Sequence, residues 1–262
     1  SMVWQAAVVV GPMLGGVLIA SYGVQSSYLI NLLLSMLTIV IMLFLELPQT
    51  EEKSVVSITF TSMKEGIRFV THTPMIYATM LLDFFATFFA SASVLMPIFA
   101  KDILVVGPQG VGLLYSAPAI GSLAAGFFLS LLPVPKKQGI LLLCGVCIYG
   151  IATVFFGISH AFLLSLVMLA LVGAGDMVSA VIRNTIRQLE TPDSLRGRMI
   201  AINMNFFVGG PYLGDVEAGV TASWWGAPIS VVVGGVATIL FTLGVAYAVP
   251  KLRKYTAEQL SV

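Results

Sequence analysis

Asp83 stands in MLLDFFATFF, nine residues beyond Pro74 and inside a long apolar run. An ionisable side chain at membrane depth is costly and by default marks a functional position. No basic residue lies within one helical turn of Asp83 along the chain. Read as unpaired, such a carboxyl resists ionisation in a low dielectric, which suits it to taking up and releasing a proton. The alternative is a neutral, hydrogen-bonded aspartic acid with a structural role. Phe84, Phe85, Phe88 and Phe89 follow it and cover a broad helical arc, so some face lipid and others a cavity.

Asp176, Arg183 and Arg187 form a second group. Spacings of seven and four put all three near one helix face. Asp176 lies deeper in its apolar run, and an ion pair to a neighbouring helix is the expected structural role of the group. Asp215 and Glu217 form a third group. Two positions apart on a helix means about 200° of rotation, so only one of them can face a given cavity. Asn203 and Asn205 repeat that geometry. A cavity-facing carboxylate would suit a cationic or amphipathic ligand.

Other chemistry is thinly supported. His72 and His160 are isolated, and neither reads as a metal ligand. Cys144 and Cys147 are spaced C-x-x-C within GILLLCGVCIYG but bring no further ligands, so they read as small apolar helix residues. No metal and no cofactor is expected. Nothing in the sequence resembles a phosphate-cradling Gly-rich loop with its lysine, which argues against an ATP-driven pump within this chain.

The elements that position these groups follow from composition. The 262 residues are 58% hydrophobic and 10% charged, with mean hydropathy +1.00. Soluble domains carry about 25% charged residues. So much apolar surface calls for a bilayer as solvent. The net charge of +1 gives no reason to expect nucleic acid. Eight apolar runs are long enough to span: Val3–Ala20, Ser27–Leu45, Pro74–Ala100, Val111–Leu132, Gln138–Gly157, Ala161–Gln188, Met199–Ala222 and Ala227–Val249. The expected fold is an all-α membrane protein of eight transmembrane helices.

Lysine and arginine set the sidedness. With eight spans, 12 of the 13 basic residues fall on one side, and Lys101 alone falls on the other. That split predicts a cytoplasmic C-terminus in a multi-pass cell-membrane protein. Between the second and third spans comes LPQTEEKSVVS, then Phe60, Met63, Ile67 and Val70 at helical spacing, with Lys64, Glu65 and Arg68 on the other face. This predicts a linker with an amphipathic helix at the interface. Thr191, Pro192 and Asp193 suit the start of a helix. Arg196 and Arg198 then serve as positive-inside anchors or face a cytoplasmic acidic partner.

One pattern occurs twice. GPMLGG carries Gly11, Pro12, Gly15 and Gly16; GGPYLGD carries Gly209, Gly210, Pro211 and Gly214. Proline bends a helix, and glycines four apart let a neighbour approach closely. Each motif sits on the first helix of a terminal pair, as expected of two six-span repeats in which spans three to eight form the complete second one. On this reading residues 1–46 are the last two helices of an N-terminal bundle and 47–73 the linker. Residues 74–250 are a six-helix C-terminal bundle and 251–262 a tail. The chain starts at Ser1 with no charged leader before its first apolar run, so it reads as a piece of a longer chain whose first four spans lie outside it.

At these residues the sequence resembles the major facilitator superfamily of secondary transporters, in particular its macrolide-efflux and enterobactin-exporter branch. GPMLGG resembles the Gly-Pro motif of antiporter fifth helices. EGIRFVTHTPMI resembles the segment entering the seventh helix, and QLETPDSLRGRM the loop between the tenth and eleventh. The loop LLPVPKKQG departs from the family, because it lacks the acidic–basic pattern of the equivalent loop. The resemblance implies helices 5–12 of a twelve-helix fold, with Arg196 and Arg198 as a cytoplasmic latch that breaks when the inward gate opens. It also implies a permease that exports a small hydrophobic, drug-like or siderophore-like molecule, with protons and the lipid bilayer as its other partners. Two further readings stay open: a truncated, non-transporting fragment, and a polytopic membrane enzyme. The enzyme reading would need a clustered His, Asp or Glu set that the sequence does not supply.

Overall fold

The computed structural model describes residues 2–44, 60–133, 135 and 137–256 of the chain. The polar stretch LPQTEEKSVVS, Lys53, Lys136 and the end of the tail lie outside the described residues. The helices, in order, are α1 (Met2–Leu43), α2 (Phe60–His72), α3 (Pro74–Phe89), α4 (Met96–Ile98), α5 (Pro108–Leu131), α6 (Gln138–Ile158), α7 (Phe162–Glu190), α8 (Asp193–Trp225), α9 (Ala227–Ala248) and α10 (Pro250–Arg253). No strand occurs among the described residues. Five of these helices, α3, α4, α5, α9 and α10, carry a proline in the first turn. There its absent N–H costs nothing and its fixed φ favours the helix.

The molecule is an all-helical, multi-pass membrane protein. Six described helices are long and apolar enough to cross a bilayer, against eight spans expected. The difference has two sources. The first two expected spans form the single element α1, whose backbone leaves helical dihedrals only at Gly23 (φ 79°). The seventh expected span lies within α8, where Asn203, Asn205, Asp215 and Glu217 dilute the apolar run. Neither Pro12 nor Pro211 interrupts its helix. The third expected span is broken instead. It leaves the α-helix after Phe89, passes through a 3-10 turn at Ser93–Leu95, and ends in a π-turn at Phe99–Ile103.

Small residues set the packing. Gly145 of α6 and Gly175 of α7 lie against each other's backbone, as do Gly150 of α6 and Gly235 of α9. Helices in lipid gain little from burying apolar surface, so close backbone approach and van der Waals contact drive their association. The repeated motif divides on this point. Gly210 and Gly214 press α8 onto the Phe84 and Phe88 carbonyls of α3, as their spacing predicts. In α1, a Cβ added at Gly11 or Gly15 would meet nothing within 4 Å, and the contact runs through Pro12 and Gly16 against Pro108 and Gly112 of α5. The contact face is turned by one residue because α5 offers its own glycine there.

Two apolar clusters flank the polar middle of the bundle. One joins Leu95, Met96 and Phe99 to Leu114, Phe156 and Leu169. The other joins Ala78 and Leu82 to Leu142, Ile182, Ile186 and Leu252. The second cluster marks the end at which α3 begins, α7 ends, and α10 packs against the start of α6 through Gly139 N–H donating to the Tyr255 carbonyl. α2 docks at this end, where Val70 meets Ile76, Met80 and Met199.

Candidate functional site

Asp83 is not unpaired. Arg183 approaches its Oδ1 at 3.0 Å and Arg187 its Oδ2 at 3.0 Å, with 3% of each side chain exposed. The expectation of a lone carboxylate fails because both cations come from another helix, α7. Arg187 also donates to the Thr79 carbonyl (3.0 Å) and to Thr79 Oγ1 (3.3 Å). Arg183 donates to Ser179 Oγ (3.0 Å). Its other acidic neighbour is Asp176, with Nη2 3.3 Å from Oδ1. The three-residue group expected on α7 is thus brought together with Asp83. Two arginines face two aspartates, so the cluster is formally neutral, as burial requires.

The four charges differ in access. Asp176 keeps 45% of its side chain exposed and lines a cavity of about 350 Å³. Hydroxyl groups surround that cavity: Thr87, Ser91, Tyr115, Ser122, Tyr149 and Thr153. Phe156, Leu169 and Val172 give it apolar walls. The broken third span supplies one side. Past Phe89 the chain turns Ser91 toward α8, where its hydroxyl donates to Asp215 Oδ1 at 2.5 Å. The Ser93 carbonyl accepts from Tyr115 at 3.0 Å.

Other expected site residues lie elsewhere. Phe84 and Phe88 stack on each other, 5.9 Å between centroids. Phe84 meets Phe206 of α8 edge-on, and Phe85 meets Phe241 of α9. None of these phenylalanines lines the cavity. Asp215 and Glu217 have different contacts. Asp215 takes the Ser91 bond, whereas the Glu217 backbone carbonyl accepts from Thr221. Arg196 pairs with Asp193 on its own helix (2.9 Å). Arg198 reaches Glu65 of α2 at 2.6 Å, and Gly66 leaves room for its side chain.

With this geometry in view, comparison with known proteins decides the family. The family model for transmembrane secretion effectors matches residues 1–262. The chain belongs to that family, a branch of the major facilitator superfamily. Members are transporters and not enzymes. It is similar to the enterobactin exporter EntS of Salmonella typhimurium, 26% identical over 251 residues, covering 94% of this chain and 59% of the relative. The enterobactin exporter of Citrobacter koseri is 27% identical over the same shares. That of Escherichia coli O1:K1 is 28% identical over 195 residues, 73% of this chain and 45% of the relative. The chain therefore spans under two thirds of the length of these relatives.

Thr79, Ser179, Ser91, Tyr115 and Tyr149 are site residues that the sequence alone does not single out. Two of them had a visible signal. Thr79 lies four before Asp83, and Ser179 lies four before Arg183, each on the face of the charged residue. Ser91, Tyr115 and Tyr149 reach the cavity from three separate elements, and no local pattern joins them.

Proposed function

We propose that this chain carries the C-terminal half of the machinery of a secondary efflux permease in the cell membrane. It works by alternating access and is driven by protons. One observation carries this reading: Asp176 opens onto the cavity while sharing Arg183 with the buried Asp83. A proton arriving at Asp176 removes one of the two claims on Arg183. The guanidinium then belongs to Asp83 alone, and the α3–α7 contact changes strength with the state of the cavity. Asp176 is the titrating member, whereas Asp83 holds the two arginines in place.

The exported molecule is small, amphipathic and siderophore-like or drug-like, in keeping with the exporters named among the relatives. The mixed lining of hydroxyls and apolar walls supports that class. The basic end of the bundle, with Lys64, Arg68, Arg198 and Lys251, faces the cytoplasm, and so does the C-terminus. Helices beyond those described here complete the central cavity in a transporter of the relatives' length. The test is efflux from proteoliposomes under an imposed pH gradient, comparing the transporter with Asp176→Asn. Gradient-driven efflux that survives the substitution unchanged would overturn the assignment.

A further inference from the structure

A second cavity, about 510 Å³, opens at the basic end, away from the Asp176 site. Lys251 and Lys254 of the α10 segment line it, with Thr73 and Pro74 at the start of α3, Glu190 at the end of α7, and Tyr255. The apolar helices α3, α7 and α9 all begin or end here, which places the cavity at the depth of lipid headgroups.

Tyr255 supplies the deciding observation. It is 3% exposed, and its hydroxyl has no hydrogen-bond partner among the described residues. A buried polar group without a partner costs free energy, so native structures normally supply one. Burial, and secondly the Glu190 carboxylate, push the phenol above its ordinary range. At neutral pH it is therefore a donor. Exposed Lys251 and Lys254 and buried Tyr255, with its orphan hydroxyl, all line this one cavity, where an acceptor with several oxygens would meet two ammonium groups and a donor. Glu190 repels a dianion, which disfavours a phosphate monoester. A phosphodiester carries one charge, and a headgroup donor beyond it would meet Glu190.

We propose that this cavity binds one phospholipid headgroup: its phosphodiester held by Lys251, Lys254 and the Tyr255 hydroxyl, its ethanolamine ammonium or glycerol hydroxyl donating to Glu190. Basic pockets between helix ends on the cytoplasmic side are suited to headgroups. The proposal stands apart from the transport reading, because it uses none of the residues around Asp176.

Native mass spectrometry of the purified chain in detergent tests it, with phosphatidylethanolamine, phosphatidylglycerol and phosphatidylcholine titrated separately. The first two are expected to be retained more strongly, because the quaternary ammonium of choline has no N–H for Glu190. A lysine near headgroups is worth about fivefold. Lys251→Gln with Lys254→Gln should therefore weaken retention of both roughly 30-fold. Tyr255→Phe keeps the ring and removes the donor, and should weaken it about tenfold without lowering the unfolding temperature. Equal retention of all three lipids by wild type and the double lysine variant would mean annular lipid only and would overturn the proposal. So would displacement of the lipid by inorganic phosphate at equal concentration, which would identify a free-anion site.

Discussion

Asp83 of α3 and Arg183 of α7 meet at 3.0 Å, each with 3% of its side chain exposed. The same guanidinium reaches Asp176, which is 45% exposed. One buried cation is therefore shared between an aspartate sealed in the bundle and another open to a cavity. Taking one member from a buried ion pair strands the other, and the cost is set by how completely water is excluded.

Asp83→Asn leaves Arg183 and Arg187 without their sealed counter-charge. We expect about 3–5 kcal/mol of destabilisation, seen as a lower unfolding temperature in detergent. Asp83→Asn combined with Arg187→Gln should recover part of that loss, because fewer buried charges are left unmatched. A single variant as stable as wild type would contradict the buried-pair geometry.

Asp176→Asn should behave differently. Its carboxylate is half-exposed and keeps solvent on one side, so the change in stability should stay within about 1 kcal/mol. The effect should fall on the pH dependence of efflux, which flattens. Thermal unfolding and a pH series of efflux rates separate the two aspartates. Equal effects of both variants on stability would count against the distinction.

Gly214 and Gly219 share α8 but not its contacts. A Cβ at Gly214 would run into the Phe88 carbonyl, whereas at Gly219 nothing lies within 4 Å. Gly214→Ala should therefore cost about 1–3 kcal/mol through overpacking. Gly219→Ala should be neutral, or stabilising by up to about 1 kcal/mol. The unfolding temperatures of the two variants should move in opposite directions or by clearly different amounts.

Glu65 and Arg198 fasten α2 to α8 at 2.6 Å, with 58% and 34% of their side chains exposed. Exposure keeps the pair weak. A double-mutant cycle should return a coupling of about 0.2–1 kcal/mol, shrinking as salt is added. A coupling insensitive to salt would show that the contact of Gly66 with Arg198 and Ile202, and not charge, holds α2 in place.

Much of this was legible in the chain itself. The charge and hydropathy pattern alone implied a membrane-embedded helical protein, and the family match agrees. The common face of Asp176, Arg183 and Arg187 followed from spacing, because the helical repeat is a local property that fixes where side chains point around one axis. The close approach at Gly210 and Gly214 was legible for the same reason. What the tertiary structure decided was which faces meet. Asp83 read as solitary because its two cations stand on α7, and the cavity-lining Ser91, Tyr115 and Tyr149 come from separate elements. In α1 the contact moved from Gly15 to Gly16 because α5 presents Gly112. Periodicity sets directions within a helix but not the rotation or register of one helix against another. In lipid that choice rests on small-residue packing and paired polar groups, which exist only once the helices are side by side.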